Sequence, residues 1–436
     1  MIPATGRRVK TCELPQIRYP SRMPDTWDSI VVGGGAAGFF GAITCAETLG
    51  GSGKVLILEK TKNLLAKVKV SGGGRCNVTH DCHDAKDFST HYPRGERSLI
   101  GPLSRWSAED TIRWFEDRGV ELKTEPDGRM FPTTDDSQTI IDCLYQAASD
   151  SGVEIRTGTG ATAIERIDDD TDGARFLVST GEDEPLRARN ILLATGGTRL
   201  ESSAQLARDL GHSLQPPVPS LFTFKTEDLM LLNLQGLSVP QTKVSIPSTT
   251  LSAEGPLLVT HWGLSGPGIL RLSAWGAREL AEIDYRFELA VNWLPDRDIA
   301  AELTPLRTKK GARLVAGRSP FEEIPRRLWE RLVLQTGIAD DCPWSRLSRS
   351  NFARLVGQLA DTRFQIDGKS LNKEEFVTCG GAALSEISLK TMESKLVDGL
   401  HFAGEIMDID GLTGGFNFQN AWCSGHHAGV SMAEKG

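Results

Sequence analysis

The sequence predicts an α/β protein built on a nucleotide-binding β-α-β unit and interrupted by two inserted pieces, one β-rich and one helical. Three observations carry this. The stretch Asp28 to Glu59 reads, in order, as strand, glycine turn, small-residue helix, strand and terminal acid. Apolar strands run into glycine turns twice more, at Ala194–Gly197 and at Gly404. Between those two, from Thr198 to about Thr362, prolines punctuate short β-type runs and helical spacing then takes over.

In the first unit the apolar run Ile30 to Val32 is a buried-strand pattern ending in Gly33. Gly33, Gly35 and Gly38 fit G-x-G-x-x-G: the first permits the tight turn, the second lets backbone approach a pyrophosphate, and the third lets helix and strand pack closely. Ala36 and Ala37 open the helix, whose amides and dipole then face the diphosphate. The second strand, Val55 to Leu58, ends in Glu59, placed to bind both hydroxyls of an adenosine ribose, with Lys60 beside it. An acid there disfavours a 2′-phosphate, so the dinucleotide is FAD or NAD rather than NADP.

Next comes KTKNLLAKVKVSGGGRCNVTH, residues 60–80. Gly72, Gly73 and Gly74 form a flexible backbone patch that can lie against a ligand, followed at once by Arg75, Cys76 and Asn77. Residues 105–118 carry an apolar helical face from Trp106, Ile112, Trp114 and Phe115, opened by a capping box in which Asp110 answers Ser107. The tryptophans read as core. Asp127 to Leu144 is a turn leading into a second helix, capped near Asp135 to Ser137. Val153 to Ile167 and Arg175 to Ser179 read as paired strands, and Ala188 to Gly197 as a buried strand running into A-T-G-G.

The β-type runs of the insertion are Ser220 to Lys225, Thr242 to Ile246, Leu257 to Thr260 and Tyr285 to Val291, a pattern for a small antiparallel sheet or barrel. His261 to Leu280 is a Gly-Pro turn opening a helix, and residues 297–360 are mostly helical. More β structure follows at 364–378. Leu400 to Ala403 is a strand ending in Gly404 and Glu405, and TGGFNFQNAW opens a last helix. Its small residues suit docking on a flavin, and amides near Gly414, Gly415, Phe416 and Asn417 face the pyrimidine oxygens, where a helix N-terminus stabilises negative charge.

Composition narrows the class. The chain has 436 residues, 39% hydrophobic and 24% charged, as expected of two or three globular domains. No apolar run is long enough to span a bilayer, and residues 1–26 lack the apolar core of a secretory signal. The net charge of −8 disfavours a broad nucleic-acid-binding surface while leaving room for a local basic one. Eight scattered cysteines without a C-x-x-C pair or a completing Cys/His cluster predict reduced thiols, a cytoplasmic setting and no metal site. They also argue against disulfide reductase chemistry.

Together, VVGGGAAG with Glu59, SGGGRCN (Ser71 to Asn77), ATGG (Ala194 to Gly197), GLSGP (Gly263 to Pro267) and TMESK…GLHFAGE…DGLTGGFNFQNAW…SG resemble the BaiN/YhiN-like flavoproteins. That family includes aminoacetone-oxidase-like proteins and is similar to glutathione-reductase-type FAD enzymes. The resemblance covers the chain after its first 27 residues. It implies a Rossmann-like FAD-binding domain (28–198 and 363–436) interrupted by a β-barrel-like insert (199–296, with part of 340–370) and a helical insert (297–362), behind an N-terminal arm (1–27). It implies that Gly33 to Gly38 hold the diphosphate and Glu59 the ribose, and that Lys67 and Gly72 to Asn77 line the flavin side. It places Ala161 at adenine through its backbone. Ala194, Thr195, Gly196, Gly404, Glu405 and Gly414 to Asn417 close over ribityl and isoalloxazine. One departure is visible: the family has Gly-Arg before the lysine, where this chain has Leu65 and Ala66.

The activity implied is FAD-dependent oxidoreduction, a hydride passing between flavin N5 and a small organic substrate. Only one dinucleotide fingerprint is present, so NAD(P)H as donor enters transiently at the flavin face. A second reading is reduction of a uridine in ribosomal RNA, for which Arg307 to Arg318 and Arg326, Arg327 and Arg331 would supply the basic surface. A third is a non-catalytic flavin-bearing assembly factor. Cys76 is the candidate proton donor. Beside Arg75 its thiol pKa is expected to fall; the competing role is packing under the isoalloxazine.

Overall fold

Five parallel strands form the centre of the molecule in a computed structural model that describes residues 26–167, 172–181, 184–199, 201–370 and 377–435. These strands are β1 (Trp27–Val32), β2 (Val55–Glu59), β3 (Glu154–Thr157), β4 (Leu186–Leu193) and β5 (Leu400–Phe402), in the spatial order β5-β4-β1-β2-β3. Their register sets Val32 against both Leu58 and Leu193, so the C-terminal ends of β1, β2 and β4 finish side by side. Both faces of the sheet are covered, which is why β1 and β2 read as unbroken apolar runs: Ile30, Val31, Leu56 and Ile57 are buried. The expected N-terminal arm falls outside the described residues except for Thr26 and Trp27, and Trp27 already belongs to β1.

One face is covered by α1 (Ala36–Thr48), against which α2 (Phe416–Glu434) lies. The two helices approach until backbones touch. A Cβ at Gly425 would sit 2.7 Å from the Ala37 carbonyl oxygen, and one at Gly429 would sit 2.6 Å from that of Gly41. The small residues of the last helix therefore serve α1, not a docked flavin as expected from the sequence; no side chain fits between the helices.

The local signals read from the sequence are present. Ser107 and Asp110 form the capping box of helix Ala108–Glu116, and Asp136 caps helix Ser137–Asp150. Arg105 and Trp106 lie outside the expected helix: Arg105 ends a separate one, Glu96–Arg105, and Trp106 caps it. Ala163–Arg166 pairs with Phe176–Ser179, which joins β4.

The insert is a closed antiparallel barrel of Thr223–Lys225, Ser238–Ser245, Ser252–Val259, Gly263–Ser265, Arg286–Asn292 and Thr362–Ser370. It shares a second apolar core with the helices Arg326–Gln335 and Arg349–Ala360, including buried Trp293, Trp329 and Leu355. Thr362–Ser370 pairs with Arg286–Asn292 and Thr223–Lys225, so the barrel keeps the chain through residue 370 rather than releasing it at 363. The two connections between the halves, Leu214–Ser220 and Val377–Ala382, run antiparallel as a paired ribbon.

Candidate functional site

The three fingerprint glycines have three different surroundings. At Gly33, φ is +117° and a Cβ would lie 2.3 Å from the Ala194 carbonyl oxygen. At Gly38 a Cβ would lie 1.9 Å from the Gly33 carbonyl oxygen. At Gly35, the N-cap of α1, nothing lies within 4 Å. Two of the glycines are therefore demanded by the protein itself, while the third keeps open space at the helix N-terminus, where Ala36 and Ala37 begin the first turn. Glu59 ends β2 with its carboxylate pinned by two backbone amides, Gly34 at 2.9 Å and Thr61 at 2.8 Å. Each oxygen retains a lone pair for a ribose hydroxyl. The 158–161 turn lies against this corner: Thr159 N donates to Glu59 O at 2.9 Å, and a Cβ at Gly160 would meet that of Lys60 at 2.7 Å. Half-buried Ala161 follows, and Lys60 is exposed at the rim.

At the other end, a short helix from Ala66 breaks at Ser71, and Gly72, Gly73 and Gly74 are all left-handed, at φ +57°, +71° and +86°. Nothing lies within 4 Å of a Cβ at Gly73 or Gly74. Leu65, which replaces the family's glycine, also keeps a left-handed φ of +54° and is buried. The departure therefore preserves the backbone turn and adds an apolar anchor.

Across the cradle, Thr195 and Gly196 follow β4, and Thr195 Oγ1 is buried with no hydrogen-bond partner among the described residues. Glu405 binds Lys67 and accepts from Thr378 N at 2.8 Å. A Cβ at Gly197 would meet Thr378 Oγ1 at 2.3 Å and Glu405 Oε1 at 2.8 Å. Gly404 sits over Ala37, since a Cβ there would come 2.9 Å from the Ala37 Cβ. Thr378 is a site residue that the sequence reading missed; the glycine pair Gly380–Gly381 just after it was the available signal.

Gly414 and Gly415 lead into α2. Asn417 accepts from Gly411 N and donates to Gly411 O, both at 2.8 Å, so its side chain closes the loop before the helix. Asn77 faces the Thr79 and Met130 carbonyls and Gly415 N, at 3.0, 3.2 and 2.9 Å, and ties the 72–77 loop to the start of α2. These asparagines hold the walls of the cradle. Phe416 is buried, stacked on His91 at 4.2 Å.

Cys76 does not match the expected acid. It is fully buried, and burial pushes its thiol up to about 12, the opposite of the predicted fall. The reason lies in Arg75, whose guanidinium points away. It pairs with Glu125 at 2.6 Å and Asp135 at 3.5 Å and stacks on Phe131, so its charge is already answered. The packing role is the one the geometry supports. Among the described residues no cluster of metal-ligating side chains occurs, no disulfide forms, and no helix is long and apolar enough to cross a membrane.

The cradle fits FAD on its own evidence: open space at Gly35 beside a helix N-terminus, a pinned acid at the end of β2, and the unpartnered Thr195 hydroxyl. Fold and site together define an FAD-dependent oxidoreductase of Rossmann type. The chain belongs to the HI0933-like family, whose "HI0933-like protein Rossmann domain" model matches residues 27–431. It is 28% identical over 418 residues to the ribosomal RNA dihydrouridine synthase of Haemophilus influenzae, covering 94% of this chain and 99% of that one. It is 27% identical over 415 residues to the 3-dehydro-bile acid delta(4,6)-reductase of Clostridium scindens, covering 93% and 98%. Among solved structures, 3-ketosteroid-delta4-(5alpha)-dehydrogenase from Rhodococcus jostii RHA1 shares the fold, at TM-score 0.50 and 14% identity over 95% of this chain and 98% of that one.

Proposed function

We propose that this oxidoreductase reduces a conjugated carbon–carbon double bond of a small organic substrate held between the cradle and the insert. FAD, when bound, supplies hydride exchange at its N5. The chain's own residues bind the cofactor, orient it and fix the insert beside it. The observation that carries the reading is a contact between the halves. Arg94, held by Asp410, donates to the Ala274 carbonyl of the insert at 2.5 Å and to Ser220 Oγ at 3.2 Å. Asp410 lies on the same loop as Glu405 and Gly414, so the insert is fixed against the cradle's own wall. The steroid-reducing relative supports a planar, conjugated acceptor.

NADH or NADPH is the proposed donor, entering at the flavin face. Stopped-flow bleaching of the bound flavin by each nucleotide, followed by reoxidation with a 3-oxo-4,6-diene steroid, tests both halves of the reading. Absence of bleaching by either nucleotide removes nicotinamide from it. Failure of reoxidation by conjugated acceptors removes the substrate class.

A second reading, reduction of a uridine in ribosomal RNA, is favoured by charge. Residues 297–362 hold twelve Arg and Lys against eight Asp and Glu, in a chain of net charge −8. Arg327, exposed on that insert, spends one guanidinium nitrogen on the Asn233 carbonyl. Binding of a ribosomal RNA fragment that weakens steeply with salt, together with dihydrouridine in the product, would favour this substrate over the steroid-like one.

A further inference from the structure

With Cys76 buried away from the cradle, the proton that must accompany hydride transfer to a double bond needs another source. Two histidines lie at the start of α2. His80 ends the short strand Thr79–His80, directly after the 72–77 loop, and its Nδ1 lies 3.0 Å from the Gly414 carbonyl oxygen. Thr79 is pressed against the helix start: a Cβ at Gly415 would come 2.4 Å from the Thr79 carbonyl oxygen. His80 thus stands between two segments of the cradle. Its ring stacks on Phe416 at 4.7 Å, and His91 stacks on the same phenyl ring with 10° between the planes. The two imidazole centroids are 5.9 Å apart.

The hydrogen bonds assign the tautomers. A carbonyl oxygen only accepts, so His80 Nδ1 carries the hydrogen it gives to Gly414. His91 Nδ1 likewise faces two carbonyls, Asp87 at 3.2 Å and Phe88 at 3.3 Å. In both neutral rings the lone pair is therefore left on Nε2, the atom that takes up and passes on a proton. Gly128 leaves room for that atom of His80, since a Cβ there would lie 2.5 Å from Nε2. Both rings are half-buried rather than enclosed. Burial holds the His91 pKa below its ordinary value, and the charges of His80 and of Arg271, on the insert helix Pro267–Trp275, add to that. His91 thus lies within electrostatic reach of the insert.

We propose that His80 is the proton donor of the reductive reaction, through Nε2, with His91 as the positioning residue that shares its stacking surface. The role rests on the double-bond reductase reading. The substrate double bond gains a hydride from the reduced cofactor at one carbon and a proton from the His80 imidazolium at the other. His80 is left neutral and is recharged from solvent. No further oxidant or reductant enters beyond the nicotinamide that reduces the cofactor.

His80→Asn tests this, because an asparagine amide can keep the Nδ1-type hydrogen bond to Gly414 while removing Nε2. The variant should retain FAD and be bleached by the nicotinamide donor at the wild-type rate. Its reoxidation by a 3-oxo-4,6-diene steroid should slow by roughly 100-fold or more. Reoxidation by ferricyanide, which takes electrons and needs no proton, should be unchanged. Asparagine at wild-type speed with the steroid overturns the proton role alone. A wild-type enzyme that passes hydride to no conjugated acceptor overturns the reductase reading and the role with it. A long-range proton–nitrogen NMR spectrum gives an answer independent of turnover: His80 should show the Nδ1–H tautomer, and an Nε2–H tautomer overturns the assignment.

Discussion

Arg94 and Asp410 form a two-pronged ion pair across the seam of the molecule, with Nε to Oδ1 at 2.5 Å and Nη2 on Oδ2. Asp410 is fully buried and the Arg94 side chain is 11% exposed. A second pair, Arg278 with Asp408 at 2.7 Å, lies nearby, but its arginine side chain is 44% exposed. The two should respond differently. Asp410→Ala strands a buried guanidinium and is expected to lower unfolding free energy by about 3–5 kcal/mol. Arg278→Ala removes a partly solvated partner and should cost about 1 kcal/mol or less. Urea titrations of both variants check this, and equal losses would refute the ranking.

Gly33 and Gly35 separate folding from cofactor binding. Gly33→Val meets backbone and an unfavourable φ, so it should yield little folded protein. Gly35 has an ordinary φ of −92° and open space, so Gly35→Val should fold near wild-type stability and purify with little FAD. Glu59→Ala should behave similarly, since hydrogen bonds to a carboxylate contribute about 1.5–3 kcal/mol each. The ratio of flavin to protein absorbance, read beside the thermal midpoint, tests all three.

Cys76→Ala should retain FAD and turn over at the wild-type rate, at a stability cost of about 1–2 kcal/mol from a small cavity. Cys76→Ser buries a hydroxyl in an apolar site and should be the less stable of the two. A large drop in turnover for the alanine variant, with FAD still bound, would restore the acid role.

His401 lies in β5, fully buried, with Nε2 3.2 Å from Ser431 Oγ, and burial lowers its pKa to about 4. In the unfolded chain the ring titrates near 6.5, so between these values the unfolded state binds more protons. Its contribution, on the order of 3 kcal/mol, is complete above about pH 6.5 and is lost as pH falls towards about 4. Urea midpoints between pH 4 and 7 should show this slope. His401→Gln should flatten it.

The cradle's nucleotide end was legible because each of its requirements is local. Gly33, Gly35 and Gly38 lie within six residues, and Glu59 follows at the end of the next strand. Capping at Ser107 and Asp136 was legible for the same reason: a cap is a contact within one turn. Cys76 was misread because its neighbour in sequence, Arg75, turns to Glu125 and Asp135, acids some fifty and sixty residues away. The small face of the last helix was misread because small residues serve a flavin or another helix equally well; only the backbone contact with α1 distinguishes them.

By itself, then, the sequence determined the β-α-β unit, the pinned acid and the order of the inserted pieces, all properties of periodicity and short-range backbone geometry. The tertiary structure decided which polar groups meet. Glu405 with Thr378 and Lys67, Arg94 with Asp410, and His80 with Gly414 are pairs separated by 27 to more than 330 residues. Charge, burial and proton affinity depend on such neighbours, and chain order does not encode distances between segments that meet only when two cores close on each other.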